Sequence, residues 1–133
     1  MSSQSRFFGE SRAQDGTAYL RRAGRVPVAI DVRVSTRERA FKGTAANLGA
    51  GGLFLVADQL TPVGAELLLS FQLPEVDEEL EVWAEVRWVR GDVAGQPWGM
   101  GLRFLDLAAA DRGVIGEFVR AVEAQGQGQG HIA

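Results

Sequence analysis

In the stretch VPVAIDVRV every even position is apolar: Val26, Val28, Ile30, Val32 and Val34. Asp31 and Arg33 fall on odd positions. A period of two marks a strand with one buried face. Pro27 cannot donate a ladder hydrogen bond, so this strand is expected to begin at an edge. The pattern recurs. Residues 41–46 form a second short strand, and GLFLVA a third. ELLLSFQLP puts Leu67, Leu69, Phe71 and Leu73 on one face. LEVWAEVRWVR puts Leu80, Val82, Ala84, Val86 and Trp88 on one face, with Glu81, Glu85 and Arg87 opposite. WGMGLRFL does the same with Trp98, Met100, Leu102 and Phe104. Trp88 and Trp98 are therefore expected in the core. Trp83 falls on the charged face and is expected either to anchor a contact or, the favoured reading, to lie under a terminal helix.

Six strands with short polar connections predict an all-β fold: a closed or nearly closed antiparallel barrel, which also hides strand edges. The period then changes. Leu107, Ala110, Val114, Ile115, Phe118, Val119 and Val122 recur at three and four, which predicts an amphipathic C-terminal α-helix over 107–122 with Asp106 as its N-cap. Residues 1–20 are polar and aperiodic and read as a flexible leader. Residues 21–124 read as barrel plus helix, and the Gly/Gln-rich residues 125–133 as a disordered tail.

The chain has 133 residues, with 46% hydrophobic and 23% charged positions, which suits one soluble domain. It contains no apolar run long enough to span a bilayer, so membrane insertion is not expected. The N-terminus lacks a secretory pattern, and cytoplasmic residence is the default expectation. Net charge is −3. Residues 1–25 hold five arginines against Glu10 and Asp15, so a basic segment precedes a body carrying −6. An acidic body argues against general nucleic-acid binding, and with it against an oligonucleotide-binding barrel.

Catalytic chemistry finds no constellation. Cysteine is lacking and His131, the sole histidine, lies in the tail, so neither a metal site nor an activated nucleophile is expected. Glu75, Asp77, Glu78 and Glu79 form a solvated turn rather than a paired-carboxylate site. The glycine-rich NLGAGG is not a Walker loop, because Leu53 and Phe54 follow it in a strand pattern and no Gly-Lys-Ser/Thr closes it. A dinucleotide fingerprint from Gly49 would need glycine where Phe54 stands. The chain is expected to be a non-enzyme without a resident cofactor.

Two features remain. RRAGR lies just ahead of the first strand, and NLGAGG joins the second to the third. Arginine offers a planar fork of donors to phosphate oxygens or a guanine edge, asparagine offers both donor and acceptor, and glycine admits close backbone approach. An arginine arm folded over a barrel face carrying Asn47 would clamp a purine nucleotide with its phosphates.

With these residues the sequence resembles the PilZ domain family, whose pattern is Arg-x-x-x-Arg before the first strand and Asp/Asn-x-Ser-x-x-Gly on the barrel. Arg21 and Arg25 match the first part, and Asn47 and Gly52 the ends of the second. The layout of VRWVR, then GMGLRF, then a terminal helix also agrees, over about residues 21–122. The resemblance implies a six-stranded barrel with a flanking helix that binds the bacterial second messenger cyclic di-GMP. By analogy Arg21 and Arg25 contact phosphates and guanine edges, Arg22 adds a phosphate contact, Asn47 bonds a guanine, and Gly52 holds a tight strand geometry. Gly49 departs from the pattern, standing where the family usually has serine. Loss of one neutral hydrogen bond would weaken binding by up to roughly tenfold. Two readings follow. One is a receptor that passes its signal to an effector protein through protein contacts. The other is a degenerate domain that does not bind cyclic di-GMP and acts only as a protein–protein adaptor. A homodimer is compatible with either.

Overall fold

The computed structural model describes residues 24–91 and 93–132, with side chains through Gln125. Six strands follow in order: β1 (Val26–Ser35), β2 (Ala40–Gly49), β3 (Gly52–Val56), β4 (Glu66–Phe71), β5 (Leu80–Arg90) and β6 (Gly99–Leu105). Among the described residues one helix, α1 (Ala109–Ile132), follows them. All strand pairs are antiparallel, in the order β1-β2-β3-β6-β5-β4, and β4 pairs back onto β1 to close the barrel.

The inward faces of β1, β4, β6 and β5 as far as Val86 are those the alternation predicts. Val32, Val34, Leu48, Leu53, Leu55, Leu67, Leu69, Val86, Met100 and Leu102 are buried in a single core. Leu48, Leu53, Leu102 and Val86 sit opposite one another across four neighbouring strands and form one layer of it. Their packing, rather than strand propensity alone, holds the register, because a slip of one residue would turn each of them to water.

Three β-bulges interrupt the ladders. They fall between Pro27 and Ile30 on β1, between Ala45 and Asn47 on β2, and between Val86 and Trp88 on β5. Those on β2 and β5 reverse which positions face inward, whereas β1 keeps Val26, Ile30, Val32 and Val34 inward throughout. The bulge at Arg87 explains one correction to the sequence reading: Trp88 is not a core residue but 44% exposed on the outside. Trp98 is likewise not in the core. It precedes the first residue of β6 and stands at the rim, 43% exposed, with its carbonyl accepting from the Ala57 amide.

The helix seats Ile115 and Val119 in the core and lies against β1 and β2. Strand β5 is across the barrel from β2, so α1 does not cover Trp83. That side chain is 52% exposed, and the expectation that it lies beneath the helix is corrected. Asp106 is not the N-cap either. It adopts a left-handed conformation (φ 48°) in the turn after β6, and the Ala108 carbonyl accepts the first helical amide, from Arg112. The helix runs past Val122, the last apolar position of its periodic pattern, to Ile132. Side chains beyond Gln125 lie outside the described residues, as does the leader of residues 1–20. Among the described residues no helix is long and apolar enough to cross a membrane.

Candidate functional site

Strand β2 reaches its last residue, Gly49, beside the segment that enters β1. Its inward positions are Phe41, Ala45 and then Leu48, three residues on rather than two. The extra residue is Ala46, at the bulge. Simple alternation from Phe41 would have turned Asn47 inward; the bulge turns it outward and half-buries it. There the Arg25 guanidinium donates through Nη1 to Asn47 Oδ1. The two candidate residues, 22 apart in sequence, are thus joined directly.

Gly49 is buried under Arg25. A Cβ at position 49 would lie 3.0 Å from Arg25 Cγ and 3.2 Å from the Gly24 carbonyl oxygen, so the bare backbone gives the arginine its seat. Gly52 has a different role. A Cβ there would overlap the Leu102 carbonyl oxygen, which is backbone and cannot swing aside. Its lack of a side chain lets β3 lie close against β6. Arg21 and Arg22 lie outside the described residues.

Asn47 pairs in register with Phe54, Phe54 with Gly101, and Gly101 with Trp88. These four positions make one row across the outer face of β2, β3, β6 and β5. Phe54 and Trp88 stack above Gly101, with ring centroids 5.2 Å apart and planes 20° from parallel. Gly101 leaves the space for this, since a Cβ there would overlap the indole. Arg90 lies over the Phe54 ring, 4.7 Å from its centroid, and is steadied by donating Nε–H to the Pro97 carbonyl at 3.0 Å. Sequence reasoning missed this aromatic platform. The bulged stretch VRWVR opposite a glycine was its only signal, and alternation assigned the tryptophan to the core.

Glu85 sits one row further along, opposite Arg103. The bond from Arg103 holds its carboxyl below the ordinary carboxylate range, with Arg87 adding to the effect, while partial burial opposes it. The Arg103 contact is 3.0 Å and the Arg87 contact 3.4 Å.

A groove of about 1340 Å³ lies elsewhere, along β1 and β2 between Trp98 and the turn after β4. None of Arg25, Asn47, Gly49, Gly52 or Trp88 lines it. Its walls carry Asp31, Asp58, Glu75 and Glu79 against Arg33 and Lys42, and Glu79 already holds Arg33 at 2.6 Å. That balance suits an anion poorly, so size does not make it the better candidate for a phosphate-bearing ligand. Among the described residues no cluster of His, Asp and Glu is arranged to hold a metal ion.

The model of the PilZ domain family matches residues 19–121. Comparison with curated protein sequences finds no significant match. Among solved structures, the chain is similar to the Bacillus subtilis inhibitor of motility (MotI/DgrA), with 27% identity and a TM-score of 0.68 over 76% of this chain. It spans half the length of that protein. The PilZ domain of YcgR from Escherichia coli, solved with c-di-GMP, shares the fold at 10% identity, with a TM-score of 0.64 over 82% of this chain and 95% of that one. A tetrameric PilZ domain from Xanthomonas campestris shares it at 21% identity, with a TM-score of 0.53 over 68% of this chain and 50% of that one.

Proposed function

This chain belongs to the PilZ domain family, and on that footing we propose that it is a cyclic di-GMP receptor whose site is the outer barrel face from Arg25 to Trp88. Proteins of this family are nucleotide-binding receptors and adaptors, not enzymes. The observation that carries the reading is the Arg25–Asn47 hydrogen bond, which brings together two halves of the family's motif.

The bond also assigns work to each atom. Asn47 accepts from Arg25 through Oδ1, so its Nδ2 amino group is the part turned toward a ligand, as a donor to guanine O6 or N7. The planar guanidinium fork of Arg25 suits a phosphate oxygen or a second guanine edge. Arg21 and Arg22, four and three residues before it, would close over the ligand from the other side. The half-exposed Trp88, braced by Phe54, offers a flat apolar surface at the far end of the row, where a base can stack. Gly49 supplies no hydroxyl, so the ligand is held without the bond a serine would give. Closure of the arginine arm would change the surface shown to an effector protein, in keeping with a cytoplasmic signalling module.

Support for the second reading, an adaptor that does not bind the nucleotide, comes from Gly49 and from the exposed Trp83. Chemical-shift mapping with cyclic di-GMP separates the two. The receptor reading expects shifts at Arg25, Asn47, Gly49 and the Trp88 indole. Shifts confined to the groove along β1 and β2, or none at all, would sink it.

A further inference from the structure

Trp83 lies on the side of the barrel away from the Arg25–Asn47 pair. It stands opposite Leu68 on β4 and Leu105 on β6, so three adjacent strands present an apolar row to solvent. The indole, on the outward face of β5, is 52% exposed. A cleft of about 490 Å³ opens beside it, between β5 and the turn into α1. Four carboxylates rim this cleft: Glu66, Glu81, Asp106 and Asp111. Among the described residues none of the four has an ion-pair partner. Arg112, next to Asp111 in sequence, donates to the Leu107 carbonyl at 3.2 Å, while Arg87 and Arg103 hold Glu85 and Arg33 holds Glu79.

We propose that this cleft is a docking site for a basic segment of a partner protein, one that places an arginine or lysine over Trp83. The occupant follows from charge. A second copy of the chain docking by the same face would set four carboxylates against four, and an anionic lipid surface or nucleic acid would meet the same repulsion. A cationic side chain gains both from the carboxylates and from the indole face, and an apolar neighbour on the segment would cover Leu105 and Leu107. The proposal does not depend on the nucleotide reading; it gives either an occupied receptor or a plain adaptor a surface through which to act.

The test uses the full chain and a short labelled peptide alternating arginine and leucine, read by fluorescence anisotropy across a salt series. Binding is expected to weaken about fivefold in Trp83→Ala, and to weaken with a shallower salt dependence in the double variant Glu81→Gln, Asp111→Asn. The double variant leaves the apolar row intact, so it decides the matter should Trp83→Ala fold poorly. A peptide alternating glutamate and leucine is expected not to bind. Equal binding by parent and both variants would overturn the proposal. So would equal binding of the acidic peptide, or self-association in sedimentation that Trp83→Ala abolishes, since that assigns the face to a second copy. Both variants are expected to bind cyclic di-GMP as the parent does. Failure of the nucleotide site therefore leaves the peptide result standing.

Discussion

The Arg25 guanidinium donates to the side-chain oxygen of Asn47, tying the segment that precedes β1 to the end of β2. A side chain restrained in this way loses less entropy when it takes up a ligand. Arg25→Ala and Asn47→Ala should each weaken cyclic di-GMP binding by roughly tenfold or more, the scale of a hydrogen bond to a charged group. The double variant should lose less than the sum of the two, because the residues act on one another. A double-mutant cycle by calorimetry checks this.

Gly49→Ser tests the departure from the family pattern. The added Cβ meets Arg25 Cγ at 3.0 Å, so the arginine must shift by a few tenths of an ångström before a new hydroxyl helps. The expected gain in affinity is smaller than the roughly tenfold ceiling of one neutral hydrogen bond. Gly49→Val, with bulk and no hydroxyl, should weaken binding at nearly unchanged thermal stability.

Gly52→Ala should act on the fold rather than the ligand. Its methyl group would collide with the Leu102 carbonyl, forcing β3 from β6. Overpacking of this kind costs about 1–3 kcal/mol, and thermal unfolding should show a Tm lower by several degrees. Gly52 thus belongs to the motif for a structural reason, as the close strand approach requires.

Gly101→Ala, or Trp88→Ala, should remove the aromatic platform. The first crowds the indole off Phe54 from below, and the second deletes it. Both should weaken cyclic di-GMP binding, and Trp88→Phe should retain more of it than Trp88→Ala. Equal affinity in parent and Trp88→Ala would confine the site to the Arg25–Asn47 end.

Strand positions were legible because burial of one face imposes a period of two, and in β1, β4, β6 and β5 as far as Val86 the inward residues are those the alternation selects. Bulges are not legible in that way. Ala46 and Arg87 are ordinary residues, yet each reverses the alternation after it, turning Asn47 and Trp88 outward. Asn47 is a candidate regardless of parity, because motif spacing singles it out. Trp88 had only parity, and parity placed it inside. Trp83 was misjudged for another reason: sequence periodicity shows which face of α1 is apolar but not which side of the barrel that face covers.

Glu85 gives the fold a small acid dependence. Its pKa is lowered, chiefly by Arg103, so its contribution is present above the ordinary carboxylate value and is lost as pH falls through the lower folded value. The pair is largely solvent-exposed on its arginine side, and screening keeps the effect to about 0.2–1 kcal/mol. Glu85→Gln should therefore be slightly less stable at neutral pH and indistinguishable from the parent in strong acid, by thermal melts across a pH series.

Calorimetric titration of the full chain with cyclic di-GMP, beside Arg25→Ala, bears most directly on the receptor reading. The account predicts a saturable heat in the parent that is weakened or lost in the variant. Absence of heat at high micromolar ligand, or equal binding by the two proteins, would contradict it.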